Sequence, residues 1–229
     1  MTLPRMGLNL PPLLFQCPSE FSSDEASRAK EYFAGLGVQK FYLDDAHWAK
    51  YIAEQVILLE PASVFEFGCN RGRNLMEIRK LDANIQLAGV DVNPDAVAWG
   101  RDHHGLDLRV GDESLLGSME GQSFDVTFTL SVLDHLPDPR PVLKELIRVA
   151  RKGVILLEPW LGQEGKVVQT MSTTSGKSED AEPYEYSWDY VKIIHELSPE
   201  REVSWQHYDM GAGSMKRWWS ASYCLFVIR

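Results

Sequence analysis

Val64-Phe65-Glu66-Phe67-Gly68-Cys69-Asn70-Arg71-Gly72-Arg73-Asn74-Leu75 decides the fold, because a short apolar β run stops at a glycine there and a helical pattern begins. Val64, Phe65 and Phe67 suit a strand buried on both faces, as a parallel sheet requires. Gly68 and Gly72 let the backbone turn sharply and approach a ligand closely, and Asn70 between them tolerates a left-handed conformation better than most residues. A helix starting near Arg71 presents free N–H groups, while Glu66 ends the strand with a carboxylate suited to a cationic group. A nicotinamide dinucleotide would ask for G-x-G-x-x-G. The order here is Glu-x-Gly-x-Asn-x-Gly, with the acid two residues before the first glycine.

That order resembles the first motif of class I S-adenosylmethionine-dependent methyltransferases, usually (Asp/Glu)-x-Gly-x-Gly-x-Gly, with Asn70 departing from it at the middle glycine. After the helix that ends near Leu81, Ile85 to Asp91 reads as a second strand. Gly89-Val90-Asp91-Val92-Asn93-Pro94 resembles the family's second motif. An acid at such a strand tip accepts hydrogen bonds from both ribose hydroxyls of a nucleoside, although Asp91 also suits the cap of the next helix. A third strand, Leu106 to Val110, leads to Gly111-Asp112-Glu113, where an Asp of the family contacts the adenine amino group; a plain turn suits these residue types equally. The fourth strand, Phe124 to Leu130, runs into Ser131-Val132-Leu133-Asp134-His135-Leu136-Pro137-Asp138-Pro139, which resembles the family's Leu-x-His-Leu-x-Asp segment. The resemblance therefore implies S-adenosylmethionine as cofactor, held by Glu66, Gly68, Asn70, Gly72, Asp91, Asp112, Glu113 and Ser131. S-adenosylhomocysteine would be the product.

For catalysis, a hydroxyl acceptor needs its proton removed near the C-terminal ends of the fourth and fifth strands. His135 and Glu158 are the candidates. His135 belongs to a segment that in the family mostly shapes the pocket, and Glu158, before Pro159-Trp160, suits a base, a substrate hydrogen-bond acceptor or a strand-end carboxylate. His195, Asp189 and Tyr190 are weaker candidates on a flanking helix. No ligand spacing argues for a metal.

With 229 residues and 44% hydrophobic content, the chain suits one large α/β domain with modest additions. A formal net charge of −10 disfavours nucleic-acid backbones and anionic membranes as partners and points to a small molecule. Cys17, Cys69 and Cys224 are widely spaced without a CxxC pair, so neither a disulfide framework nor a zinc knuckle is indicated. Without a signal pattern or a bilayer-length apolar run, a reducing, cytoplasmic setting is the expectation.

Residues 1–60 read as an N-terminal arm with two cap helices, one from Ala26 to Phe33 and one carrying Trp48, Ile52, Val56 and Leu59. Phe41, Tyr42 and Trp48 suit either an acceptor site or packing on the sheet edge. Residues 61–229 read as the core, with a Ser/Thr/Gly-rich insertion at 162–183 expected to be a lid over the acceptor. A helix over Arg140 to Val149, a fifth strand from Lys152 to Pro159, a helix from Trp188 to Leu197 and a closing hairpin, Val203 to Tyr208 with Trp218 to Ile228, complete the chain. The expected architecture is a Rossmann-like α/β class I methyltransferase fold: a seven-stranded, mostly parallel sheet, its last strand antiparallel, with helices on both faces. The expected function is methyl transfer to oxygen or nitrogen of a metabolite or sugar-like compound. A cofactor-binding scaffold without turnover, or a nicotinamide oxidoreductase, is the alternative from another class.

Overall fold

The computed structural model describes residues 14–16, 23–38, 47–168, 185–209 and 222–229. The chain opens with β1 (Leu14–Gln16), α1 (Ser23–Ala34) and α2 (His47–Ile57). Three βα units follow: β2 (Ser63–Phe67) with α3 (Arg73–Leu81), β3 (Gln86–Asp91) with α4 (Pro94–His104), and β4 (Asp107–Val110) with α5 (Glu113–Ser118). Then come β5 (Phe124–Leu130), α6 (Arg140–Val149) and β6 (Ala150–Pro159). The remainder is β7 (Gly165–Val168), β8 (Glu185–Ser187), α7 (Tyr190–Leu197), β9 (Val203–His207) and β10 (Tyr223–Ile228).

Seven strands form one sheet in the order β4-β3-β2-β5-β6-β10-β9. β2 pairs in parallel with β3 and β5, and β10 runs antiparallel to both β6 and β9. Alternation along each strand sends side chains to two separate cores. Phe65, Phe67, Val154, Leu156, Cys224 and Phe226 face α5, α6 and α7, whereas Val64, Val126, Phe128, Ile155 and Leu157 face α2, α3 and α4. The same period of two carries Glu66 to the α3 side and Glu158 to the α7 side. The expected sheet is therefore present, with its antiparallel final strand.

Several boundaries differ from the sequence expectation. The helix expected from Arg71 begins at Arg73, because Gly72, at φ 81°, is still in the turn. The expected extended arm contains β1, and the expected lid begins with β7; these two strands and β8 make a second sheet in the order β1-β7-β8. β7 is a paired strand because Gly165, Lys166 and Val167 register with Ser187, Tyr186 and Glu185. The rest of the expected lid, residues 169–183, lies outside the described residues, as do Phe41, Tyr42, Tyr184 and the link 210–221 of the closing hairpin. Among the described residues no helix is long and apolar enough to cross a membrane.

The α7 core contains one unsatisfied group. The hydroxyl of Tyr190 is buried with no hydrogen-bond partner among the described residues. Burial, and then the nearby Glu158 and Asp134, push its ionisation well up, so it stays a neutral phenol. An unpartnered buried hydroxyl costs desolvation without return. Tyr190→Phe is therefore expected to leave stability unchanged or raise it by about 1 kcal/mol, read as a urea midpoint at constant m-value.

Candidate active site

At the C-terminal ends of β2, β3 and β5 lies a cavity of about 410 Å³. Its floor is the turn after β2. Gly68 (φ 76°), Asn70 (φ 48°) and Gly72 (φ 81°) are all left-handed, which is why Asn serves where the family motif has glycine. The N–H groups of Gly68 and Cys69 donate to the Val90 carbonyl at 2.9 and 3.0 Å, tying the turn to β3. The Asp91 carboxylate completes the brace: it accepts the Asn70 N–H at 2.7 Å and the Asn93 N–H at 2.9 Å. Burial raises the Asp91 pKa, and these N–H groups oppose the rise.

Of the expected cofactor residues, Gly68, Asn70, Asp91, Asp112, Glu113 and Ser131 line this cavity. Gly72 and Glu66 do not. A Cβ on Gly72 would sit 2.3 Å from Leu106 Cδ1, so its role is to let α3 pack on β4. Glu66 lies beneath the turn, fully buried, where Asn74 Nδ2 donates to its Oε1 at 2.6 Å and its Oε2 has no partner. Burial pushes its pKa up to about 8, against the pull of Asn74 and Arg73.

That shift has a testable sign. The folded pKa lies above the ordinary glutamate value, so the unfolded chain releases the proton first as pH rises. The stabilisation is complete below about pH 4.3 and is lost as pH climbs through 8. Glu66→Gln keeps the Asn74 bond and removes the titration. It is expected to match the parent near pH 5 and to exceed it by on the order of 3 kcal/mol at pH 9, measured by urea unfolding without ligand.

The adenine-side expectation is altered by partners. Asp112 caps α5, accepting the Ser114 N–H at 3.0 Å and its hydroxyl at 2.7 Å, while Lys30 of α1 reaches its other oxygen at 3.0 Å. Ser114 and Lys30 together hold the Asp112 carboxyl down to about 2. Lys30 also pairs with Glu113 at 2.6 Å. Both carboxylates thus anchor α1 across the mouth of the cavity. One turn further along α1, Phe33 packs on His135 with ring centroids 4.8 Å apart. Asn93 fastens the following turn by donating to the Gly37 carbonyl at 2.9 Å.

His135 lines the cavity, as expected of a base candidate, and Glu158 does not. The Glu158 side chain is buried behind the loop after β5, where both oxygens accept the Val132 N–H at 3.2 Å and Oε1 lies 3.4 Å from Thr129 Oγ1. Of the three readings open to it, a base, a substrate hydrogen-bond acceptor or a strand-end carboxylate, this geometry matches the last, a carboxylate that holds the loop. His195 and Asp189 have structural work too: His195 Nδ1 lies 2.8 Å from the Val191 carbonyl, and Asp189 caps α7 by accepting the Lys192 N–H at 3.0 Å. Sequence reasoning missed Lys30, Arg71, Arg73, Asn74 and Asp134, all on the cavity wall. Arg71 lies over the Trp99 ring, 4.4 Å from its centroid, and Arg73 over Trp48, 5.4 Å from its centroid. Lys30 alone of the five had no sequence signal: Arg71, Arg73 and Asn74 stand in the first motif and Asp134 beside His135 in the loop motif.

Residues 65–157 match the family model described as a methyltransferase domain. The chain is 30% identical over 101 residues to the ubiquinone biosynthesis O-methyltransferase of Xanthomonas oryzae pv. oryzae (strain PXO99A), covering 42% of this chain and 41% of that protein. The chain therefore spans about two-fifths of the length of the curated relative it matches. Among solved structures, a Haloferax volcanii protein in complex with the Trm112 methyltransferase activator superposes with a TM-score of 0.62 at 14% identity, over 87% of this chain and 96% of that one. The plantazolicin methyltransferase BamL, solved with a triazolic desmethylPZN analogue and SAH, gives 0.56 at 12% identity over 79% and 84%.

Proposed function

We propose, from the premise that residues 65–157 form a class I methyltransferase domain, that this protein binds S-adenosylmethionine and transfers its methyl group to oxygen or nitrogen of a small-molecule acceptor. The observation that carries the reading is the β2 turn, a left-handed cradle closed by Asp91 above a buried carboxylate oxygen that has no partner. These residues fit the cofactor. Gly68 leaves no room for a side chain beneath the loop after β5, Glu66 supports the turn from below through Asn74, and Asp91 offers acceptor oxygens to ribose hydroxyls. Asp112 and Glu113, held by Lys30, border the adenine side.

S-adenosylmethionine supplies an electrophilic methyl group on a sulfonium. What the chain supplies is alignment and a dry wall: Phe33, Leu36 and Trp48 close the cavity above, and Val132 and Leu136 close it on the β5 side. The net charge of −10 and the small-molecule relative support a metabolite over a nucleic acid as acceptor. Titration calorimetry with S-adenosylhomocysteine tests the binding half. Transfer of label from methyl-tritiated S-adenosylmethionine into a protein-free metabolite extract tests turnover. Binding without any transfer would leave a scaffold, and preferential binding of a nicotinamide dinucleotide would overturn the reading.

A further inference from the structure

The loop after β5 holds a carboxyl group that nothing so far has used. Asp134 is fully buried at the cavity wall beside Glu158 and Ser131, and neither of its oxygens makes a hydrogen bond of good geometry among the described residues. Native proteins rarely leave such an atom unsatisfied, and where they do a ligand donor is a physical reason. The neighbouring His135 repeats the pattern: its Nδ1 is buried and unpartnered, and its Nε2 stands 3.7 Å from Asp134 Oδ2. Behind them sits Glu158, pinned by the Val132 N–H. The groups beside this pair are Ser131, whose hydroxyl bonds Tyr223 at 2.6 Å, His135, Thr129 of β5, 3.4 Å from Glu158 Oε1, and Tyr190 of α7, which lies against Cys224 of β10.

Two carboxyl groups in contact within a dry wall do not both ionise, so the pair retains one proton and one negative charge. Burial first, and then the Asp134 charge, pushes Glu158 well up; burial raises Asp134, and His135 opposes that rise. A carboxylate made more basic in this way is better matched to taking a proton near neutral pH. Of the two, Asp134 borders the cavity.

We propose that Asp134 is the base that receives the acceptor's proton, and that the acceptor is accordingly an alcohol, a phenol or an amine that still carries a hydrogen on the atom to be methylated. Glu158 is a positioning residue that holds Asp134 through the loop and keeps the pair's charge at one. The inference rests on the methyl-transfer reading above. In the step, the acceptor's oxygen or nitrogen forms a bond to the methyl carbon as the carbon–sulfur bond breaks with its electrons left on sulfur. The acceptor's proton passes to the Asp134 carboxylate, so the sulfonium charge and the carboxylate charge vanish together.

The test uses the full chain, methyl-tritiated S-adenosylmethionine and the protein-free extract, with mass spectrometry of the labelled product. Asp134→Asn is expected to cut transfer by about a hundredfold or more, with S-adenosylhomocysteine affinity within about threefold of the parent. Asp134→Glu is expected to restore part of the rate. The parent's maximal rate should rise with pH and level off, and the Asn variant should lose that dependence, which a merely structural role would not move. Independently of turnover, infrared difference spectra of the unliganded protein should show a protonated carboxyl band near neutral pH that Asp134→Asn abolishes or shifts. Equal transfer by parent and Asn variant, or a product methylated at carbon, sulfur, a carboxylate or a tertiary amine, would overturn the assignment while methyl transfer stands. No transfer by the parent in the presence of binding would overturn the transfer reading itself. Should the Asn variant fail to bind S-adenosylhomocysteine, the Glu variant decides: binding retained with no recovery of transfer would overturn the role.

Discussion

Asp91→Ala is expected to weaken S-adenosylmethionine binding by about a hundredfold, because it removes a ribose partner and unfastens the turn in one change. The carboxylate accepts the Asn70 N–H at 2.7 Å with one oxygen and the Asn93 N–H at 2.9 Å with the other. Charge-assisted bonds of this kind contribute roughly 1.5–3 kcal/mol each when lost from a protected site. Asp91→Asn must turn its NH2 toward one of those two backbone donors, so it is expected to lose about tenfold. Titration calorimetry checks both. Unchanged affinity in Asp91→Ala would remove the ribose assignment, and a fall in affinity matched by loss of the folded baseline would show only the brace.

Gly68→Ala should destabilise the protein by about 3 kcal/mol, combining a left-handed alanine with a steric conflict. The residue sits at φ 76°, and a Cβ there would lie 2.3 Å from Val132 Cγ2. For a chain of this size that corresponds to a fall in Tm of roughly 10 °C in calorimetric scans. The two causes separate in a double variant. Val132→Ala in the Gly68→Ala background is expected to recover the steric part, about 1–2 kcal/mol, and leave the backbone part. A single variant as stable as the parent would mean that the turn relaxes, and the cradle would then be a poor account of the site.

The sheet was legible in the sequence because each strand is a local apolar run ended by a local signal. Phe124–Leu130 and Arg140–Val149 have the expected bounds, and Asn93-Pro94 opens α4 as a cap should, Asn93 accepting the Ala96 N–H at 3.0 Å. The small sheet β1-β7-β8 was not legible. Its strands have three or four residues, too short for a periodic pattern, and Lys166 is buried there against Glu25 of α1, which meets it at 2.6 Å. The site divides in the same way. Asp91, Asn70 and Ser131 follow from local motifs, whereas Lys30 reaches Asp112 across 82 residues of sequence, a pairing that no spacing rule encodes. Glu158 was seen as an acid at a strand tip, but which side of the loop it would serve depended on the parity of β6 against β10.

The nested order β6-β10-β9 also bears on how a nascent chain reaches this state. Once β6 has left the ribosome, the parallel half β4-β3-β2-β5-β6 has all its parts, while Val154 to Pro159 still lack the partner that β10 supplies. That run is Val-Ile-Leu-Leu-Glu-Pro, an apolar strand with an unpaired hydrogen-bonding rim, the kind of edge that recruits other chains. β9 is synthesised before β10, yet among the described strands it pairs with β10 and not with β6, so it gives the β6 edge no interim cover. The interval between β6 and β10 is therefore the stage at which chaperone dependence and aggregation during synthesis should concentrate, and substitutions that slow β10 docking should lower soluble yield more than they lower the final stability.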